Sequence, residues 1–134
     1  MVNDMPTSAT VKLEVKGLKE TQRNLEKAVR ELQGAPIMNA MRDSTLLVTR
    51  YAKINSPVDT GRLRASITPS VSSMKETVTG IVGSNVKYAP YVELGTKFMK
   101  PRKYLQRALE QAMDYIKTRF DRATKEIARI GNGG

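Results

Sequence analysis

The chain has 134 residues with no Cys, no His and no Trp, and 23 Lys+Arg against 13 Asp+Glu give a formal net charge of +10. The missing Cys excludes disulfides, thiolate zinc sites, iron–sulfur clusters and a cysteine nucleophile; the missing His excludes Ser-His-Asp triads and imidazole metal sites. With 40% apolar and 27% charged residues the composition is that of a folded domain, and the length fits a single core over residues 1–134, with 1–9 and 131–134 expected to be flexible.

Thr10 to Lys16 alternates apolar and polar, so Val11, Leu13 and Val15 share one face of a strand that Gly17 ends. From Leu18 the period changes. Leu18, Thr21, Leu25, Val29 and Leu32 recur at three or four residues, which predicts a helix over 18–33 closed by Gly34. Pro36 suits the first turn of a second helix over 36–55. Its stripe is Ile37, Met41, Thr45, Val48 and Ala52, widened by Ala40, Leu47, Tyr51 and Ile54, so much of its girth should be buried. Asn55-Ser56-Pro57 stops it.

Asp59 or Thr60 is then placed to cap a short helical turn at 61–66. Ile67–Val71 and 77–83 read as two strands, with 72–76 as a hairpin loop, so the pair should be antiparallel. Pro69 argues for an edge position, and Gly80 marks a bulge or a close backbone approach. Ala89–Leu94 forms one helical turn closed by Gly95. Pro101 opens the most regular element, an amphipathic helix over about 101–130. Thirty residues span about 45 Å, against a diameter of roughly 30 Å for a domain of this size. Part of that helix should therefore project, lie along a neighbouring subunit, or order only on assembly. The fold class is α+β: a small antiparallel sheet of about three strands packed by helices, with a long C-terminal α-helix.

Catalytic signals are missing. The glycines at 80, 83 and 95 do not make a phosphate-binding loop, and Asp59, Glu93, Glu110, Asp114, Asp121 and Glu126 have no metal-loop spacing. Ser56 and Thr60 are better read as turn and cap residues than as nucleophiles. Neither catalysis nor a cofactor is expected. No apolar run approaches the roughly 20 residues of a membrane span, and no secretory signal opens the chain.

Two segments stand apart from this background. One is Pro57-Val-Asp-Thr-Gly-Arg-Leu-Arg-Ala-Ser-Ile67; the other is Tyr88-Ala-Pro-Tyr-Val-Glu-Leu-Gly-Thr96, followed by Pro101 to Ala108. Together with the hairpin between them and the long last helix, they resemble the small neck or head–tail joining proteins of long-tailed bacteriophages, a family of tail components. The family's pattern is P-x-D-T-G-x-L-R-x-S, then Y-A-x-Y-x-E-x-G-T, then P-x-L-x-x-A. The first two are matched at every fixed position. In the third, Leu105 and Ala108 keep their spacing while Pro101 sits two residues further upstream. The loop at 97–104 also departs, with Tyr104 and a Lys/Arg run where the family is more often apolar.

The resemblance implies a structural virion protein in the neck or tail. It implies a homo-oligomeric ring, six-fold favoured and twelve-fold possible, between the portal or head-completion side and the tail-terminator or tail-tube side. Phage DNA would pass through its centre, and assembly would take place in the host cytoplasm, with no membrane involved. Subunit-interface candidates are Asp59, Thr60, Gly61, Arg62, Arg64, Tyr88, Tyr91, Glu93, Gly95 and Thr96. Arg62 or Arg64 could meet Glu93 across the boundary in a bidentate pair, or these residues could stitch loops within one subunit.

The densest positive stretch, Lys97, Lys100, Arg102, Lys103 and Arg107, has no acid between Glu93 and Glu110. It reads as a docking patch, a DNA-facing surface, or simply a solvated loop. Two rival functions remain at this level: a tail-terminator or tail-tube subunit, and a non-specific DNA-binding module carried by the +10 charge.

Overall fold

The computed structural model describes residues 9–15, 27–57, 61–74 and 77–131. In chain order the elements are β1 (Ala9–Val15), α1 (Lys27–Asn55), α2 (Arg62–Ser66), β2 (Thr68–Met74), β3 (Thr77–Ser84), α3 (Ala89–Leu94) and α4 (Tyr104–Gly131). The fold is α+β, as the order of periodicities predicts.

The sheet is antiparallel throughout, in the order β1-β3-β2. Pro69 lies on an edge strand, where its missing N–H breaks no ladder. Alternation decides the faces. Val78 and Val82 of β3 are buried; Val11 of β1 lies opposite Val82 and Val15 opposite Val78, and on the same face Leu13 of β1 and Val71 of β2 flank Gly80. The other face carries Lys12, Glu14, Ser70, Ser72, Thr79 and Ile81. The hairpin is tighter than its serines suggest: Ser72, Ser73 and Met74 stay in register with Thr79, Val78 and Thr77, so the connection is two residues long rather than five. The ladder outweighs the weak strand preference of serine.

Both long helices cover the apolar face, α1 over β2 and β3 and α4 beside it over β1. They run antiparallel. Asn55 donates to Gln111 at 2.8 Å, Arg119 pairs with Asp43 at 2.9 Å, and Ile37 clusters with Ala123 and Ile127. One core cluster joins Val48, Ala52, Leu63, Ile67 and Val82 to Tyr104, Leu105, Ala108, Ala112 and Ile116.

Three boundaries differ from the sequence reading. The break at Gly34 and Pro36 does not exist: α1 runs from Lys27 to Asn55 with Pro36 inside it. A proline inside a helix loses one backbone bond and strains one turn, but Pro36 is itself buried beside Ile37, Ala40 and Met41, and packing overrides the local preference. Residues 18–26 of the predicted first helix lie outside the described residues. Second, Ile54 is exposed, so the buried face of α1 is narrower than its apolar content suggests. Third, α4 begins at Tyr104 rather than Pro101, because Lys103 has φ 49°, outside the helical region.

The first correction removes the puzzle of the long C-terminal helix. At 28 residues α4 is about 42 Å long, and α1, with 29 residues, matches it. Its far half packs on its own chain: Ala123 is buried, and Phe120 and Ile127 lie against the second cluster.

At Gly80 the side chains of α1 pack directly onto the sheet. A Cβ there would lie 2.5 Å from Met41 Sδ and 2.6 Å from Thr45 Cγ2, both on fully buried side chains. Gly80→Ala should therefore destabilise the fold by about 1–3 kcal/mol through overpacking, measured as a lowered urea midpoint with an unchanged slope.

Candidate functional site

The first motif makes the corner between α1 and the sheet. Ser56 ends α1, its N–H bonded to Ala52 O at 2.9 Å and its hydroxyl to Lys53 O at 2.8 Å. Asp59 and Thr60, the predicted caps, lie outside the described residues. The N-cap position of α2 is Gly61, at φ 69°. Leu63 points into the core, and Arg64 reaches back to donate to Ser56 Oγ and O, each at 3.5 Å. Ser66 bonds Leu63 O at 2.7 Å and shares a hydroxyl–hydroxyl bond with Ser84 of β3. Ser84 Oγ in turn accepts from Val86 N at 3.1 Å. One serine pair thus joins α2 to the end of β3 and the approach to α3.

The second motif makes the corner between α3 and α4. Ala89, Pro90 and Val92 are the buried side of the single turn. Tyr88 is its half-buried N-cap, and Tyr91 O accepts from Gly95 N at 2.7 Å. Gly95 has φ 81°, and a Cβ on it would lie 2.7 Å from Pro101 Cδ and N. Both the backbone angle and the space demand glycine there.

Glu93 has a role that its position in the sequence does not reveal. The first amides of any helix lack carbonyl partners within it. In α4 the residue at the cap position is Lys103, whose side chain has no acceptor, and the first turn contains no acid. Glu93 supplies both. Its Oε1 accepts from Leu105 N at 2.8 Å and its Oε2 from Gln106 N at 3.1 Å. The backbone adds two bonds, Arg102 N to Val92 O at 2.8 Å and Lys103 N to Glu93 O at 3.1 Å. Tyr104 closes the corner from inside, fully buried, with its hydroxyl donating to Ala89 O at 3.3 Å. Burial pushes the Tyr104 hydroxyl above the usual tyrosine range, and the nearby Glu93 and Tyr88 push it the same way.

Within the chain Arg64 and Glu93 are engaged separately: Arg64 donates to Ser56, and Glu93 caps α4. Lys97, Lys100, Arg102, Lys103 and Arg107 are all exposed, gathered on the loop and first turn that Glu93 secures. The sequence reading missed the apolar residues among them. Phe98 is 94% exposed, Leu94 65% and Met99 38%. The only signal for them was that they fall outside any periodic stripe.

Glu93→Ala should cost about 1–2 kcal/mol, the value of a lost cap, and should speed amide exchange at Leu105 and Gln106. Glu93→Gln, which keeps one acceptor, should lose less. A second expectation concerns alkaline pH. The folded-state value of Tyr104 is raised, so its contribution is complete below the unfolded value of about 10 and is lost as pH climbs from there towards the folded value. Stability should fall above about pH 10 with a slope of at most ~1.4 kcal/mol per pH unit from this residue. Tyr104→Phe should remove that part of the slope in denaturation curves taken at stepped pH.

Among the described residues no helix is long and apolar enough to cross a membrane. Comparison with curated proteins and with solved structures gave no match. A family described as "Bacteriophage HK97-gp10, putative tail-component" matches residues 18–95. That is more than half of the chain, and it takes in both the first corner and the second as far as Gly95. The agreement of that match with the motif reading fixes the assignment: the chain belongs to the HK97-gp10-like family of structural bacteriophage tail components.

Proposed function

We propose that this chain is a ring-forming subunit of the virion neck, which joins the portal or head-completion side to the tail and lets DNA pass through its centre. Family membership supports a structural place in the virion. The observation that carries the joining role is the corner at α3 and α4. There Lys97, Lys100, Arg102, Lys103 and Arg107 face solvent, while Glu93, the acid that precedes them in the chain, is turned inward onto the amides of α4. The result is a positive surface on a backbone fixed before any partner arrives, which favours fast and oriented docking on an acidic neighbour.

In this reading the two corners set the shape of each copy. The boundary between copies falls on what the corners display, including the exposed Arg62 and Thr96. Six copies suit a six-fold tail. Contacts between them are head-to-tail, the kind that closes into a ring.

Charge reversal at Lys100, Arg102 and Lys103 together tests the proposal. All three side chains are exposed, and acids at the N-terminus of α4 are favoured by the helix dipole, so the variant should fold with a melting midpoint no lower than wild type. Mixed with heads and tails from a phage lacking this protein, it should leave them unjoined by electron microscopy, with joined particles reduced by at least about tenfold. Joining at the wild-type level would overturn the docking role.

A further inference from the structure

The segment from Leu94 to Lys103 is a finger. It leaves at the end of α3 and returns at the start of α4, and its base is closed by the bonds from Arg102 N to Val92 O and from Lys103 N to Glu93 O. Halfway up, Thr96 N bonds Met99 O at 2.8 Å and Met99 N bonds Thr96 O at 3.3 Å. At the tip, Phe98 N donates to Thr96 Oγ1 at 3.1 Å. Pro101 lies directly against Gly95. Three levels of bonding thus hold a segment that has no regular secondary structure.

The tip carries Phe98, 94% exposed, with Leu94 and Met99 also open to solvent and Lys97 and Lys100 on either side. An aromatic side chain left in water forgoes about 1.5–3 kcal/mol of burial. A loose loop would recover part of that by folding onto the domain, but here the bonds keep the ring out. A rigid aromatic anchor ringed by charge has the composition and preorganisation of an interface hot spot.

We propose that Phe98 inserts into an apolar pocket, rimmed by carboxylates, on a neighbouring virion protein of different sequence. The charge of the finger selects that occupant. It carries four cations, Lys97, Lys100, Arg102 and Lys103, and no acid, and Arg107 follows on the first turn of α4. The same stretch of a second copy carries the same cations and repels it, and a DNA duplex takes an aromatic ring only at the cost of unstacking a base step. The inference rests on the neck reading and adds to it the anchor and the chemistry of the surface that receives it.

A photo-crosslinking phenylalanine analogue placed at position 98 in assembled particles reads the occupant directly. The expected result is an adduct with a different virion protein, on a peptide containing Asp or Glu. Adducts with a second copy of this chain, adducts with DNA, or no adduct at all overturn the proposal. In the head–tail joining assay, Phe98→Ala should raise the protein concentration needed for half-maximal joining by about 30-fold or more, with the melting midpoint unchanged, and Phe98→Leu should fall between it and wild type. Sedimentation with phosphatidylglycerol vesicles that depends on Phe98 would assign the finger to lipid and also overturn the proposal. The two levels separate cleanly. If Phe98→Ala joins normally while the triple charge reversal does not, the anchor is wrong and the neck role stands. If both join normally, the neck docking role falls too.

Discussion

Two backbone amides at the start of α4 have no carbonyl of their own helix to bond, and the architecture around them depends on the oxygen atoms that Glu93 brings. Because Lys103 occupies the cap position with φ 49°, the helix cannot be capped from its own sequence. The carboxylate comes instead from the end of α3, and in reaching across it ties two otherwise separate segments into one corner. Everything downstream inherits that placement. α4 enters at the angle that lays Leu105, Ala108 and Ala112 on the core and Ala123 beside Ile37, and the finger from Leu94 to Lys103 has a closed base.

Seen this way, the two motifs are devices for shape. In the first, Leu63 fills the core, Arg64 clamps the end of α1, and Ser66 joins α2 to β3 through Ser84. In the second, Ala89 and Val92 fill the core, Glu93 caps, Gly95 turns, and Thr96 holds the finger from within. Gly61, Leu63, Arg64 and Ser66 of the first motif and Ala89, Val92, Glu93, Gly95 and Thr96 of the second thus have work inside the chain. A subunit whose corners are fixed in this way presents the same surfaces at the same angles in every copy, which is what the ring proposed above needs of its parts.

What could be read in the sequence follows from what is local. The first strand, expected from Thr10 to Lys16 after a flexible 1–9, runs from Ala9 to Val15. The turn Ala89–Leu94 and the edge place of Pro69 rest on periodicity and on single-residue constraints, and they stand as predicted. So does the close approach at Gly80, although the partner side chains, Met41 and Thr45, were not predictable. The errors share one cause. Gly34 reads as a stop and Pro36 as a fresh start because local chemistry favours both, and the packing that carries α1 through them is non-local. α4 looks too long only against the diameter of a sphere of this mass, whereas in the fold the 29-residue α1 lies along it. The job of Glu93 was hidden for a related reason: its partners are 12 and 13 residues away across a loop, a separation that no helical or strand period marks. Phe98 was hidden by being outside every pattern.

The position of the cations adds an electrostatic argument that composition alone does not contain. The N-terminus of a helix carries partial positive charge, so acids are favoured there and bases disfavoured, by roughly 0.3–1 kcal/mol each at exposed sites. α4 inverts the preference: no acid lies in its first turn, and Lys100, Arg102, Lys103 and Arg107 surround its start. A face evolved only to be solvated has no reason to gather bases at the positive end of a dipole, where each one repels the others as well. Glu93 offsets part of the field from within and keeps the corner folded, but it adds no negative charge to the exposed finger. The arrangement is therefore one that carboxylates from outside stabilise. Such carboxylates would meet the helix field and the four side chains together.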